Sequence, residues 1–257
     1  MEPGLFPPGA RALRLRGIPI SYLDLREQVC RANRELVRAG LVVLAFGNAS
    51  GVDRAAGVMA IKPSGVPYDE LRPEAIVVVG LDDGRIVEGD FRPSSDTPTH
   101  LVLYRRFPTI GGVVHTHSSF ATAWAQAEMP IPCLGTTHAD HFGGSVPVTR
   151  QLTRDEIQGD YEVQTGEVIV ELFQAAGLEP LENPAAIVAS HGPFTWGIDA
   201  AGAVENAIAL EAVAAYAFRA TQLRPDVHAI GEDLRMRHFR RKHGPSAYYG
   251  QRNETTS

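Results

Sequence analysis

The chain has 257 residues, 44% of them hydrophobic and 21% charged, a composition that builds one sizeable globular core. Its formal net charge of −6 leaves no basic surplus, which argues against nucleic acid or an acidic membrane surface as a partner. The two cysteines, Cys30 and Cys133, stand in unrelated contexts and exclude a disulfide framework or a Cys-x-x-Cys site.

Residues 1–20 are rich in Pro, Gly and Arg, show no clear period and read as an N-terminal extension. Ser21 is placed to cap a helix that carries Leu23, Leu25, Val29, Leu36 and Val37 and stops at Gly40. Leu41–Phe46 reads as a short apolar strand, and Gly47-Asn48-Ala49-Ser50-Gly51 as the turn after it. Gly57–Ile61 and Ala75–Val79 read as further strands, with Arg85–Val87 a fourth after the Asp82-Asp83-Gly84 turn. Asp96 or Thr97 is expected to cap the next helix, with Pro98 in its first turn and Leu101, Leu103, Tyr104 and Phe107 on its buried side. Ile110–His117 is an apolar strand, Ser118–Ala127 a helix, and 130–150 a run of loop signals that includes Gly135-Thr136-Thr137-His138-Ala139-Asp140. A helix over 166–176 precedes a strand over 185–190. Ala200–Leu223 is long, Ala-rich and helical, and Asp226–His243 is helical again. The pattern predicts an α/β protein with a mixed or antiparallel sheet flanked by helices. No apolar run approaches membrane-spanning length and no signal peptide opens the chain, so a soluble cytoplasmic protein is expected.

Two strands end in histidine. His115 and His117 in Gly112-Val113-Val114-His115-Thr116-His117 are two apart and share one face of a strand. His191 closes the run Ala186-Ile187-Val188-Ala189-Ser190 in the same way. One such histidine is usually satisfied by ordinary hydrogen bonds. Three at strand ends, two of them at metal-ligand spacing, point to a metal with an open position for substrate. Imidazole and carboxylate donors suit zinc, manganese and cobalt alike.

Three loops combine small residues with polar groups: Gly47-Asn48, Ser64-Gly65 after Lys62, and Ser94-Ser95 just before a helix start. Each alone is an ordinary turn. Together their N–H groups, hydroxyls and amine make an anion cradle, to which a helix N-terminus adds partial positive charge. None matches a P-loop or GxGxxG, so a nucleotide is not expected. Asp96 reads either as a helix N-cap or as a further oxygen ligand. Asp140 reads either as a turn residue or as a general acid/base. His238 and His243 read as part of a surface helix, and Tyr248 and Tyr249 as an exposed pair that packs onto something such as a neighbouring subunit. A metal beside an anion cradle suits polarisation of a hydroxyketone, which permits C–C cleavage or formation, proton abstraction or dehydration.

The segments GNASGVDR, IKPSGV, VEGDFRPSSDTPTH, IGGVVHTHS, GTTHAD, SHGPFTWG and RKHGPSAYYGQ resemble the class II aldolase/epimerase family. The PSSDTPTH, GTTHAD and AYYGQ parts resemble its epimerase branch. The resemblance covers residues 22–251 and implies a catalytic domain over 21–251 followed by a tail, 252–257. It implies a three-layer α/β/α fold around a largely antiparallel sheet, and a cyclic homotetramer with its sites at subunit interfaces. It implies a zinc-type site at His115, His117 and His191, with Asp96 as the nearby carboxylate sometimes counted as a ligand. Gly47, Asn48, Ser64, Gly65, Ser94 and Ser95, with Lys62 beside them, match the substrate and phosphate loops. Asp140 and Tyr249 match the catalytic acid/base pair, and His238 a histidine that assists from the adjacent subunit. The activity implied is interconversion of L-ribulose 5-phosphate and D-xylulose 5-phosphate by breaking and re-forming the C3–C4 bond. The substrate could be supplied by arabinose or by ascorbate breakdown. Ala49 departs from the bulkier aliphatic residue usual in the first turn, and His141 from an expected aromatic such as Tyr. Two other readings stay open: an aldolase that releases its fragments, and a non-catalytic sugar-phosphate binder that needs neither Asp140 nor Tyr249.

Overall fold

The computed structural model describes residues 22–243. Its strands are β1 (Asn48–Asp53), β2 (Val58–Ile61), β3 (Val77–Gly80), β4 (Ile86–Glu88), β5 (Gly112–His115), β6 (Ala185–Val188) and β7 (Gly192–Gly197). Its helices are α1 (Leu23–Arg38), α2 (Thr97–Arg106), α3 (Ser119–Gln126), α4 (Thr136–His141), α5 (Arg154–Gln158), α6 (Tyr161–Ala176), α7 (Ala200–Leu223) and α8 (Glu232–His243). The strands form one sheet in the order β4-β3-β2-β1-β5-β7-β6. Every neighbouring pair is antiparallel.

The strands are apolar on both sides, and this dictates three layers. Met59 and Ile61 of β2, Val77 and Val79 of β3, Val113 of β5, and Phe194 and Trp196 of β7 turn to one face. Leu101, Leu103 and Tyr104 of α2 and Ile169, Val170 and Phe173 of α6 cover them there. The alternate residues turn to the opposite face. Val58, Ala60 and Val78 meet Val29 and Cys30 of α1. Ala49 and Val114 meet Leu36 of α1 and Ala203, Val204 and Ala207 of α7. Ala185 and Ile187 meet Trp124 of α3 and Leu210, Val213 and Ala214 of α7. The α/β/α architecture and the antiparallel sheet are therefore those that the resemblance implies.

Helix α7 lies close to the sheet because both surfaces are small. A Cβ added at Gly112 would lie 2.2 Å from the Asp199 carbonyl oxygen and 2.5 Å from the Ala200 Cα. Both contacts are backbone, so neither can swing aside. Gly112→Ala is expected to destabilise by at least the ~1–3 kcal/mol typical of overpacking. The change reads as a lower urea midpoint at unchanged slope; an unchanged midpoint would show that α7 yields freely.

Several expectations are corrected. Leu41–Phe46 is not a strand: Leu44 takes a left-handed φ of 55°, and Val43, Leu44 and Phe46 are exposed. The strand is the supposed turn that follows, whose small polar residues occupy the crowded middle of the sheet. The Asn33 side chain there donates to the Ala49 carbonyl and accepts from its N–H, both at 2.9 Å. The strand expected over 185–190 ends at Val188, and His191 sits in the turn before β7, after Ser190 at φ 59°. The opening Gly-Pro of β7 hid it as a strand. Thr136–His141 is a helix and not a loop. Helix α6 starts at Tyr161, five residues before expectation, and α5 precedes it behind a Thr153/Glu156 capping box. Helix α8 begins only at Glu232. The membrane-length expectation also fails. By length and composition α7, at 24 residues, is apolar enough to span a bilayer, but half of the stretch is buried inside this fold.

Candidate metal centre and substrate cavity

Antiparallel pairing places Asn48 of β1 opposite His115 of β5, and His115 opposite Phe194 of β7. His115 is buried, with its ring stacked on Phe194 at 4.2 Å between centroids. Its Nδ1 lies 3.0 Å from the Pro193 carbonyl oxygen. A carbonyl only accepts, so Nδ1 carries the proton and Nε2 presents its lone pair outward. His117, two residues beyond, brings its Nε2 to 3.1 Å from that atom. The β6–β7 turn supplies His191, whose Nδ1 lies 3.4 Å from Tyr161 Oη. One ligand atom from each of these three histidines falls within 4.8 Å of the others, the one such convergence among the described residues.

Protonation favours a metal here. Burial pushes the His115 imidazole down to about 3, against the opposing pull of Asp96. Burial likewise lowers His117 and His191. A metal needs neutral imidazole, so these ligands lose no proton on binding. Three imidazole donors with one partly open side fit a zinc-type ion.

Asp96 occupies the N-cap position of α2 but does not cap it. Its Oδ2 accepts from Asn48 Nδ2 at 2.6 Å. Burial pushes this carboxyl up, but its electrostatic pairing with the neighbouring His115 and His100 and the Asn48 bond carry it below its ordinary value. Asp96 lies in the same cavity as the histidines yet is not one of the three converging donors.

The cavity has a volume of about 190 Å³. Gly47, Asn48, Lys62, Ser64, Gly65, Ser94, Ser95, Asp96, His115, His117 and His191 all line it, so the loops and the metal residues read from sequence share one space. Gly47 takes φ 105°, and a Cβ there would stand 2.9 Å from the His115 carbonyl oxygen, so the loop depends on glycine. Lys62 is buried, and Nζ sits 4.7 Å from the Tyr68 ring centroid and 3.3 Å from the Pro63 carbonyl. Burial lowers its pKa. Tyr68 donates from Oη to the Gly47 carbonyl at 2.7 Å, tying the lysine's platform to the glycine loop.

Sequence reasoning missed some of this environment. Ala45, Phe46 and Pro63 also line the cavity. Phe46 was hidden inside the misread strand, although a large apolar residue beside Gly-Asn was a usable signal. Beneath the cavity floor, Ser50 Oγ lies 2.7 Å from His100 Nδ1 and 2.9 Å from Tyr104 Oη. Burial holds His100 at about 4, and so neutral.

Asp140 and His238 stand elsewhere. Asp140, on α4, is not among the residues lining the cavity of its own chain. His238 Nδ1 donates to its Oδ1 at 3.1 Å. The two therefore belong to one group within one chain, and whatever site takes one takes both. Tyr248 and Tyr249 lie outside the described residues.

Comparison with known proteins identifies the family. Residues 27–218 match the family model described as class II aldolase and adducin N-terminal domain. The chain is 54% identical over 228 residues to L-ribulose-5-phosphate 4-epimerase UlaF of Salmonella paratyphi C (strain RKS4594), covering 89% of this chain and 99% of that one. The protein of the same name from Salmonella typhi matches to the same extent. Among solved structures, an L-fuculose 1-phosphate aldolase superposes with a TM-score of 0.71 at 23% identity, over 85% of this chain and 95% of that one. The L-fuculose-1-phosphate aldolase of Thermus thermophilus gives 0.62 at 22% identity, over 80% and 98%. These distant likenesses speak for the fold alone. With a family model matched across most of its length and a relative identical at more than half of the aligned positions, the chain belongs to the class II aldolase/epimerase family.

Proposed function

We propose that this enzyme is a metal-dependent epimerase that interconverts L-ribulose 5-phosphate and D-xylulose 5-phosphate. The observation that carries this reading is the single cavity in which three neutral imidazoles face a cradle of Lys62, Ser64, Ser94 and Ser95. The identity with relatives named L-ribulose-5-phosphate 4-epimerase supplies the substrate.

His115, His117 and His191 would hold a divalent ion, zinc or alternatively manganese or cobalt, with Asp96 as the further oxygen donor. When bound, that ion supplies a Lewis acid for the negative charge that develops on the keto sugar. Lys62 and the Gly47-Asn48, Ser64-Gly65 and Ser94-Ser95 loops bind the phosphate and orient the chain, with the N-terminus of α2 adding its dipole. Asp140 removes the C4 hydroxyl proton on one face, and the C3–C4 bond breaks to leave an aldehyde. The aldehyde turns over, the bond re-forms, and Tyr249 supplies a proton on the other face. His238 steadies Asp140.

Asp140 and His238 lie outside the cavity of their own chain, which supports a homotetramer whose sites combine the metal half of one subunit with the acid/base half of the next. The catalytic domain is assigned to 21–251, with 1–20 an extension and 252–257 a tail. Free, buried Cys30 and Cys133 fit a reducing cytoplasm.

The test is product analysis of metal-replete protein with L-ribulose 5-phosphate. D-Xylulose 5-phosphate should form without build-up of glycolaldehyde phosphate or dihydroxyacetone. Accumulated fragments would make the protein an aldolase, and no conversion at all would make it a binder.

A further inference from the structure

Resting on that reading, we propose that Arg241 is a positioning residue that clamps the Asp140 carboxylate in its reactive orientation and leaves one oxygen, Oδ2, to handle the proton. Arg241 Nε donates to Oδ1 at 2.8 Å and Nη2 donates to Oδ2 at 2.5 Å, a two-pronged pairing. His238 Nδ1 adds a second donor on Oδ1. A carboxylate oxygen offers two lone pairs. Among the described residues Oδ1 is therefore filled by two donors, while Oδ2 takes one and keeps a lone pair for substrate.

The clamp also fixes α8 against α4. Helix α8 buries only Phe239, so apolar packing holds it weakly. His243 Nε2 donates to the Asp140 carbonyl at 2.9 Å, and Lys242 Nζ reaches His141 Nε2 at 3.3 Å. His141, the departure from an expected aromatic, thus serves as an anchor for α8. Among the described residues, the titratable and charged groups near Asp140 are Arg241, Lys242, His238 and His243 on α8, His138 and His141 on α4, and Glu205 on α7, whose charge reaches His141. Burial pushes the Asp140 carboxyl up, but the bonds from Arg241 and His238 hold it below the usual carboxylate range. Ionised Asp140 is the base form, and the clamp extends that form to lower pH.

Arg241→Ala and Arg241→Lys are compared with wild type in metal-replete protein. Arg241→Ala should lower kcat by about 10²-fold, the lower end of general-base contributions, with KM changed less than about threefold. Losing the guanidinium raises the Asp140 pKa, so the acidic limb of the kcat/KM profile should move to higher pH. Arg241→Lys should recover little, because an ammonium cannot grip both oxygens. Added guanidinium ion should restore part of the Ala variant's rate. In an Asp140→Asn background Arg241→Ala should cost less than about threefold more, since both act through one group. An unmoved acidic limb, or additive losses in the double variant, overturns the proposal. If Arg241→Ala is too unstable to assay, Arg241→Lys decides: near-wild-type kcat with an unmoved acidic limb in that variant overturns the proposal. If wild type does not convert L-ribulose 5-phosphate, the proposed function fails separately. The carboxyl titration of Asp140 by NMR, assigned with Asp140→Asn, then decides the clamp: an Asp140 pKa unchanged by Arg241→Ala refutes it.

Discussion

His115→Asn protein is expected to lose its metal and its turnover together. His115 is the most constrained of the three histidines: buried, stacked on Phe194, and fixed by the bond between Nδ1 and the Pro193 carbonyl. Asn is shorter and offers an amide where the site presents a lone pair on Nε2, and two imidazoles hold a divalent ion far less well than three. A Lewis acid contributes several kcal/mol of charge stabilisation, so its loss should cost about 10³-fold or more in kcat. The measurement is metal analysis of dialysed variant and wild type beside turnover of L-ribulose 5-phosphate. Wild type stripped by a chelator should fall to the same level and recover on adding zinc, manganese or cobalt; the variant should not recover. Full activity in metal-free wild type would remove the metal from the reading altogether.

The parts of this site that local spacing governs were legible in the chain. The His-x-His pair needs only a strand, and β5 supplies one. The Gly47-Asn48, Ser64-Gly65 and Ser94-Ser95 loops each looked weak alone, and long-range pairing of β1 with β5 is what gathers them around His115. That pairing joins residues more than sixty positions apart and has no local signature. Two of the errors share a cause. Apolar Leu41–Phe46 looked like a core strand, while Asn48–Asp53 looked like a turn, because periodicity weighs side chains and ignores crowding. At the centre of this sheet a small residue is what fits: a Cβ on Gly51 would already stand 3.1 Å from Val29. His191 was read on a strand end and sits instead in a turn, yet it joins His115 and His117 because that turn opens β7, which pairs with β5. The Arg241 clamp was not legible at all. Arg241 lies 101 positions from Asp140 in a helix of ordinary basic composition, and only the docking of α8 on α4 brings them together.

Asp140→Asn should reduce epimerisation by about 10²–10⁴-fold while leaving metal content unchanged. An amide keeps the shape of the side chain but cannot take the C4 hydroxyl proton. It also presents an N–H₂ group where the Arg241 fork needs an acceptor, so orientation suffers along with basicity. Metal content should hold because Asp140 does not line the cavity of the three histidines. That separation gives the variant a second use. If one subunit supplies the metal and its neighbour supplies Asp140, His115→Asn and Asp140→Asn chains should complement one another. Unfolded and refolded together, the two nearly inactive proteins should recover a measurable fraction of wild-type turnover, because some interfaces then pair an intact histidine set with an intact carboxylate. Refolding each alone should recover none. An Asp140→Asn enzyme within about twofold of wild type would return this carboxylate to a purely structural role, gripping α8. Verified mixed oligomers without recovered turnover would instead place the whole reaction within one subunit, and Asp140 would then have to reach the metal cavity of its own chain by a movement of α4.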